Sequence, residues 1–373
     1  METGELSAVA TIEESVVHAV LSLKELTFSG NHEMDRDTRG DFPPPEWVSN
    51  RSVQWPVCYT RATNVKLKAK FEVLAPPTAT ETVRIRGVAT LDNTTLEWTG
   101  SVSVSPGSTE VTTGELTSSA ALPNQVGCYD PATIQWEAEP PGEPAYLAGA
   151  SANVMYVTLG APSGTPAYWT LLDISCRAAH GATSAGQLIR EVYVPFTSRT
   201  LTRMRDGRGL TYWDPKDTNA TCTADLLSRD DGGGQCGSWA EFLIDMYKCH
   251  GENGRKIEVV VTLEYARAQS VGFLVKHWLF LGNGSHPPPW THRERTECVP
   301  FPVAGQRNDD PWPNFTNHFI VRAVGMYFDP SYGSPPFFTE LEWENASIDG
   351  LEWSFRCGFP KEQYLTRRLL QFH

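Results

Sequence analysis

Short segments of alternating apolar and polar residues recur through the first 160 residues. The clearest segment runs from Val65 to Val73, where every second residue is apolar. Because successive side chains of a strand point to opposite faces, this pattern predicts a strand with one face in a core and one in water. Similar segments include Val17–Phe28, Val83–Arg86, Leu96–Trp98, Val102–Val104, Ile134–Trp136 and Val154–Val157, with Pro- and Gly-containing turns between them. This arrangement is typical of a β-sandwich, and we predict an Ig-like β-sandwich domain over residues 1–162.

The pattern changes after the Gly- and Pro-containing segment Gly160–Pro166, which is the best candidate for a linker. A helix capped by Thr183 and ended by Pro195 is predicted first, and a second helix is predicted to start at Cys236. Strands follow, and His318–Val324 with Met326–Asp329 is typical of a hairpin. The sequence therefore predicts a multidomain chain: an N-terminal all-β sandwich followed by an α+β domain over residues 163–373.

Charge and composition exclude several classes of function. The chain carries 44 acidic and 31 basic residues, a net charge of −13, and its basic residues are scattered. We therefore expect neither nucleic acid nor a membrane surface as a partner. No apolar run approaches the ~20 residues that span a bilayer. The start of the chain lacks a basic n-region, so we expect no signal peptide and a cytoplasmic location by default, although the eight cysteines leave the compartment open. No Cys-x-x-C spacing occurs, and we predict neither metal nor cofactor.

Cys236 is the most informative residue of the sequence. Three glycines, residues 232–234, precede it, and the predicted helix begins at it. A thiol at a helix N-terminus lies at the positive end of the helix dipole, which favours the thiolate. The backbone N–H groups at the same place can bind a developing oxyanion. Taken alone, Cys236 fits a small buried core residue better than a nucleophile, because free cysteines are usually buried.

His318 and Asp329 supply what a cysteine nucleophile needs. Such a nucleophile requires a base within hydrogen-bond reach, and the base requires an orienting partner. His318 opens one predicted strand and Asp329 closes the next, so a turn near Gly325 places the two side by side. Each alone fits a structural histidine or a turn residue. Together with Cys236 they predict a Cys-His-Asp triad.

Three motifs resemble those of the transglutaminase-like superfamily. The segment Gly234–Ala240 (GQCGSWA) resembles its nucleophile motif, while His318–Val321 (HFIV) and Tyr327–Ser331 (YFDPS) resemble its histidine and aspartate motifs. The resemblance covers roughly residues 165–373 and implies a papain-like α+β fold in this part of the chain. It also implies that Cys236 is the nucleophile, His318 the base and Asp329 the orienting group.

The nucleophile motif is also similar to that of papain, with one difference. Papain-type enzymes place an oxyanion-binding Gln several residues upstream of the cysteine, where Asp230 stands here, and Gln235 is adjacent instead. This difference favours the transglutaminase-like family and leaves the second oxyanion donor unassigned. Gln235, Gly237 and Trp239 are the candidate oxyanion or supporting residues, although Trp239 also fits core packing. Four further residues are candidates for the substrate cleft, with packing as the alternative: His277, Trp278, Trp290 and Trp312.

The predicted function is that of a thiol enzyme acting on amide bonds of a protein or peptide through an acyl-enzyme. A cysteine peptidase or amidase is favoured, because water is the default nucleophile and no amine-binding site can be identified. A protein-glutamine transglutaminase or deamidase is the alternative. A catalytically inactive binding module is a second alternative. The sequence identifies neither the substrate nor a partner for the N-terminal sandwich.

Overall fold

The computed structural model describes residues 17–38, 40–164, 166–213, 219–261, 272–275, 278–280, 293–294, 298–300, 303–311, 314–315, 317–353, 356–357 and 370–372. Strands predominate over helices in these residues. The expectation of a β-rich chain is therefore confirmed, while its division into two domains stays a prediction.

Ten strands form two five-stranded sheets in the first part of the chain. They are β1 (Val20–Ser29), β2 (Trp47–Val48), β3 (Val57–Thr60), β4 (Lys66–Ala75), β5 (Glu81–Leu91), β6 (Thr94–Val104), β7 (Glu110–Thr112), β8 (Leu116–Thr117), β9 (Gly127–Glu139) and β10 (Tyr146–Thr158). One sheet has the order β2-β1-β4-β7, with β8 also on β4, and the other has the order β3-β10-β9-β5-β6. Leu96–Trp98 and Val102–Val104, expected as separate segments, lie on the single strand β6.

The alternation of side chains explains how these sheets form a core. Along β4 the residues Leu67, Ala69 and Phe71 are buried, while the lysines between them face outward. Most of the buried apolar residues of both sheets belong to one hydrophobic cluster. Within it, the rings of Phe71 and Trp136 meet edge to face, with centroids 6.0 Å apart. Burial of these alternating residues is what holds the two sheets together.

In its described residues, the second part of the chain contains five helices and shorter strands. The helices are α1 (Trp169–Ala178), α2 (Ala185–Ser198), α3 (Thr223–Ser228), α4 (Cys236–Cys249) and α5 (Glu340–Ser347). The strands are β11 (Thr211–Tyr212), β12 (Gly233–Gly234), β13 (Arg255–Val261), β14 (Gly272–Val275), β15 (Trp278–Phe280), β16 (Arg293–Glu294), β17 (Cys298–Pro300), β18 (Asn314–Phe315), β19 (Asn317–Ala323), β20 (Met326–Phe328), β21 (Ile348–Trp353), β22 (Arg356–Cys357) and β23 (Leu370–Phe372). The sheet that carries the candidate site has the order β20-β19-β13-β23.

The predicted start of α4 at Cys236 and the hairpin of β19 and β20 are both confirmed. The helix α2 differs from its prediction at both ends. Its cap is Ser184, whose hydroxyl accepts a hydrogen bond from the Gln187 N–H, and Pro195 lies inside its last turn. The proline removes one intrahelical hydrogen bond, and the burial of Tyr193 and Phe196 on either side of it keeps the helix intact to Ser198. No helix within the described ranges is long and apolar enough to cross a membrane.

One hydrophobic cluster joins the helices to the first part of the chain. The helix α4 is buried along most of its length, and its cluster also includes Cys58 and Tyr156 from the strands β3 and β10. The Tyr156 hydroxyl donates to the buried Asp173 carboxylate on α1 at 2.9 Å. The segment expected as a linker is held in place as well, because the Ser163 N–H donates to the Lys248 carbonyl at 3.0 Å.

Asp37 forms a second connection between the two parts. Its buried carboxylate accepts hydrogen bonds from the N–H and the hydroxyl of Thr170, in the first turn of α1, and from the Arg205 N–H. An N–H group in the first turn of a helix has no carbonyl partner within the helix, and here the carboxylate accepts from it. The negative charge also lies at the positive end of the helix dipole. A residue far away in the sequence therefore caps α1.

We predict that Asp37→Ala lowers the free energy of unfolding by roughly 1–3 kcal/mol, because three buried donors lose their acceptor. Urea unfolding followed by tryptophan fluorescence measures the change. Thr38→Ala is the matched control, since Thr38 is exposed beside Asp37 and its replacement should leave the midpoint unchanged. Equal midpoints for the two variants would contradict the capping role.

Candidate active site

Two glycines shape the loop that leads into Cys236. The short strand β12 pairs in parallel with β11, and Tyr212 lies opposite Gly234. A Cβ atom on Gly234 would lie 2.4 Å from the Ser238 Oγ atom, so only glycine allows the strand to approach α4 this closely. Gly232 has a φ of +70°, a conformation that favours glycine. These positions give a physical reason for the glycine run that precedes the cysteine.

A buried arginine holds the chain just before this loop. The Arg203 side chain is inaccessible to solvent, and its guanidinium donates to the carbonyls of Leu227, Arg229 and Asp230. It also donates to both carboxylate oxygens of Asp206, at 2.8 and 2.7 Å. This hydrogen bonding lowers the pKa of Asp206 to about 2. Arg203 thus fixes the backbone that carries the nucleophile.

Cys236 is the first residue of α4 and is 7% exposed. The side chain of Gln235, at the N-cap, makes no capping hydrogen bond. The N–H groups of Cys236 and Gly237 have no acceptor within the helix, because the first turn of a helix leaves its donors unpaired. These donors are available to an oxygen atom bound beside the thiol.

The β19–β20 hairpin brings His318 and Asp329 together. Its turn lies at Val324 and Gly325, both with positive φ angles, of 43° and 78°. The Nε2 atom of His318 lies 3.0 Å from the Asp329 Oδ2 atom, and both side chains are 2% exposed. With the Nε2–H donated to this carboxylate, Nδ1 is the nitrogen that can exchange a proton with a thiol.

Three aromatic side chains surround the His318 ring. Trp343, from α5, stacks on it with ring centroids 6.1 Å apart and an interplanar angle of 12°. The Trp343 Nε1–H also donates to the Asp329 Oδ2 atom at 3.3 Å. Phe315 and Tyr332 lie 5.4 and 5.7 Å from the His318 centroid. The imidazole is thereby shielded from water and held against its carboxylate partner.

The charges around His318 decide its protonation. Burial is the largest influence and lowers its pKa, because the charged ring loses its hydration. The Asp329 carboxylate, followed by hydrogen bonding and charge from Cys236, outweighs burial and raises the pKa to about 10. His318 therefore interacts with both other members of the expected triad and carries a proton at neutral pH.

The remaining candidates are the oxyanion or supporting residues and the cleft residues. Of these, Gln235 and Gly237 are half-buried at the start of α4. Trp239 is fully buried and packs edge to face against Phe196 and Phe242, as a core residue does. His277, Trp290 and Trp312 lie outside the described residues, and Trp278 lies on β15 with its side chain also outside them. The assignment of these four residues to a substrate cleft therefore stays a prediction.

Sequence reasoning missed Arg203, Tyr212, Tyr332 and Trp343. Tyr332 has a local signal, because it lies in the turn motif that follows Asp329. Trp343 has none, since its helix α5 has no pattern that connects it with His318. Arg203 looks like an ordinary surface residue until its buried carbonyl partners are seen.

The described residues contain no candidate metal site. No group of three or more His, Cys, Asp or Glu side chains there could hold an ion. The six cysteines whose side chains the structure describes are free thiols. A cavity of about 410 Å³ lies in the first part of the chain, lined in part by Phe28, His32, Phe42 and Glu46, and none of the three expected triad residues lines it.

Comparison with known proteins gives no family: no protein-family model matches the chain, and no curated protein matches it.

We predict a pH-dependent contribution of His318 to stability. Its folded pKa of about 10 lies above the unfolded value of 6.5, so the stabilisation is complete below pH 6.5 and is lost as pH rises toward 10. Asp329→Asn removes the charge that raises this pKa. Urea unfolding between pH 6 and 10 should therefore show a shallower decline for the variant than for the wild-type chain. Parallel curves would mean that the carboxylate does not hold the proton on His318.

Proposed function

We propose that this chain is a thiol enzyme of the transglutaminase-like type that cleaves amide bonds of a protein or peptide. An Ig-like β-sandwich, residues 1–162, precedes the papain-like α+β domain, residues 163–373, in this proposal. The observation that carries it is the buried contact of His318 with Asp329, combined with the interaction of His318 with a thiol at the start of α4. This arrangement supplies nucleophile, base and orienting group together.

The geometry assigns a role to each group in such a reaction. His318 carries a proton on both ring nitrogens, so the Cys236 sulfur attacks as a thiolate and bonds to the carbonyl carbon of the substrate, whose C=O electron pair moves onto oxygen. The imidazolium gives its Nδ1 proton to the leaving amine as the C–N bond breaks, and an acyl-enzyme remains. Asp329 stabilises the imidazolium throughout, and the N–H groups of Cys236 and Gly237 bind the oxyanion. Water activated by His318 then releases the acyl group.

The same acyl-enzyme serves the alternative functions. If a lysine amine replaces water, the protein is a transglutaminase, and if the substrate is a glutamine side chain and water attacks, it is a deamidase. We favour peptide or amide hydrolysis, because water needs no binding site of its own. The hydrogen bond between His318 and Asp329, and the influence of Cys236 on the pKa of His318, argue against the inactive binding module.

Mass spectrometry separates these reactions. The chain is incubated with a denatured protein substrate, with and without a primary amine such as cadaverine. New termini indicate proteolysis, the mass change of deamidation on glutamine indicates a deamidase, and incorporated amine indicates a transglutaminase. An unchanged substrate under all conditions, together with no acylation of Cys236, would contradict the proposal.

We predict that Cys236→Ala abolishes turnover and leaves the fold intact. The substitution removes the nucleophile and only one sulfur atom from the start of α4. Release of nitrophenolate from p-nitrophenyl acetate and the circular dichroism spectrum measure the two effects. Cys222→Ser is the control, since this half-buried thiol lies at the start of α3 and should be dispensable. Wild-type turnover by the alanine variant would exclude Cys236 as the nucleophile.

We predict that Asp329→Asn lowers turnover by on the order of 10²–10⁴-fold, by analogy with other triads. The amide is nearly isosteric but cannot stabilise the imidazolium. The alkaline limb of the pH–rate profile should also move to lower pH, because the carboxylate raises the pKa of His318. The profile is measured with an acyl p-nitroanilide, because its leaving amine needs the proton of His318, whereas nitrophenolate leaves without one. A turnover within about twofold of wild type would remove Asp329 from the triad, since tenfold already corresponds to ~1.4 kcal/mol.

A further inference from the structure

Two buried phenols lie beside the candidate triad. Tyr212 is inaccessible to solvent and Tyr332 is 7% exposed. Their ring centroids are 5.2 Å apart, and the Tyr332 ring lies 5.7 Å from that of His318. Neither hydroxyl has a hydrogen-bond partner of normal geometry, but the two are close enough for hydrogen bonding between them to shift their pKa values. Two buried hydroxyl groups whose nearest polar partner is each other thus lie next to the candidate triad.

The backbone around these rings is fixed. The Tyr212 N–H donates to the Gln306 carbonyl, and the Tyr212 carbonyl accepts from the Asn308 side chain at 2.9 Å. A Cβ atom on Gly305 would lie 2.6 Å from the Tyr212 ring, so glycine makes room for it. On the other side, the Arg199 Nε–H donates to the Tyr332 carbonyl at 3.0 Å. Donors held this rigidly need no reorganisation when a substrate binds.

A buried hydroxyl without a partner costs roughly 1–3 kcal/mol, so a pair of them calls for an explanation. Both phenols lie close enough to Cys236 that negative charge on its sulfur raises their pKa. Burial raises both pKa values still more, so each oxygen keeps its proton at neutral pH. Both hydroxyls therefore have a proton to donate, and only one of these protons can lie between the two oxygens. If Tyr332 donates to the Tyr212 oxygen, the Tyr212 proton remains free for another acceptor.

We propose that the Tyr212 hydroxyl donates a hydrogen bond to the carbonyl oxygen of the acyl group that Cys236 attacks. Tyr332 is a positioning residue, which packs between Tyr212 and His318 and fixes the direction of the Tyr212 O–H. This inference rests on the proposed function and fills the place of the second oxyanion donor. Tyr212 suits that place because its strand β11 pairs with β12, directly before the nucleophile.

An ester such as p-nitrophenyl acetate acylates Cys236 with loss of nitrophenolate. The Cys236 sulfur forms a bond with the carbonyl carbon, and the C=O electron pair moves onto oxygen, where it accepts from Tyr212 and from the backbone N–H groups. The electron pair then returns, the bond to the nitrophenolate oxygen breaks, and a thioester remains on Cys236. No oxidant, reductant or metal is needed.

Two small reagents distinguish donation by Tyr212 to the oxyanion from other roles of this residue. p-Nitrophenyl acetate reacts through an oxyanion, whereas iodoacetamide alkylates the thiolate by direct displacement without one. Tyr212→Phe keeps the ring and removes the hydroxyl. We expect it to lower the second-order acylation rate of Cys236 by about 100-fold, as loss of one oxyanion donor does, and to leave the alkylation rate unchanged. Cys236→Ala provides the background for both reagents.

The matched control is Tyr247→Phe. Tyr247 is a buried tyrosine on α4 whose hydroxyl donates to the Ile189 carbonyl at 3.4 Å, away from the triad. We expect it to keep both rates. Equal losses of both rates in Tyr212→Phe would indicate a structural role, and faster alkylation would indicate that the phenol binds the thiolate instead; either result overturns the inference. So does an unchanged acylation rate, which leaves the proposed function standing. Alkylation without any acylation in the wild-type chain would refute the proposed function itself.

A double-mutant cycle tests the role of Tyr332. If Tyr332 acts only by directing the Tyr212 hydroxyl, Tyr332→Phe lowers acylation in the wild-type chain and has no further effect in Tyr212→Phe. Additive losses would show that Tyr332 acts independently of Tyr212 and would overturn its assignment as a positioning residue.

Discussion

The buried hydrogen bond between His318 and Asp329 is the interaction on which the rest of the candidate site depends. Burying a carboxylate and an imidazole is costly unless the two are paired. The hairpin of β19 and β20 supplies the pairing at 3.0 Å, and Trp343 adds a donor to the same carboxylate oxygen. Burial then strengthens the pair, because water cannot screen it. A proton is retained on His318 for this reason, and acyl transfer requires that proton.

Several separate interactions position the candidate nucleophile, Cys236. Arg203 holds the carbonyls before the loop, Gly234 lets β12 approach α4, and the buried face of α4 fixes the helix in the core. None of these contacts involves His318. The helix α4 also packs on β19, the strand of His318, within one hydrophobic cluster, so this packing brings the thiol and the imidazole together.

Local sequence patterns predicted the strands and helix ends that depend on residues close together in the sequence. Alternation located β4 and β5, and the glycine run followed by an apolar face located the start of α4. His318 and Asp329 were predictable because a hairpin relates them through a short turn. Trp343 and Arg203 were not, because their partners are backbone or side-chain atoms that only the tertiary fold brings near. The course of α2 through Pro195 likewise depends on packing that overrides the local preference.

The packing around α1 bears on how the two parts of the chain work together. Asp37 caps this helix from the first part, Tyr156 bonds its Asp173, and its other face belongs to the cluster that buries α4. A fragment that begins near residue 165 would lose the cap and expose the apolar surface that Cys58 and Tyr156 cover. Since α4 carries Cys236, the first part of the chain stabilises the helix that presents the nucleophile. Its sheets thus help to hold the candidate nucleophile in place through the core.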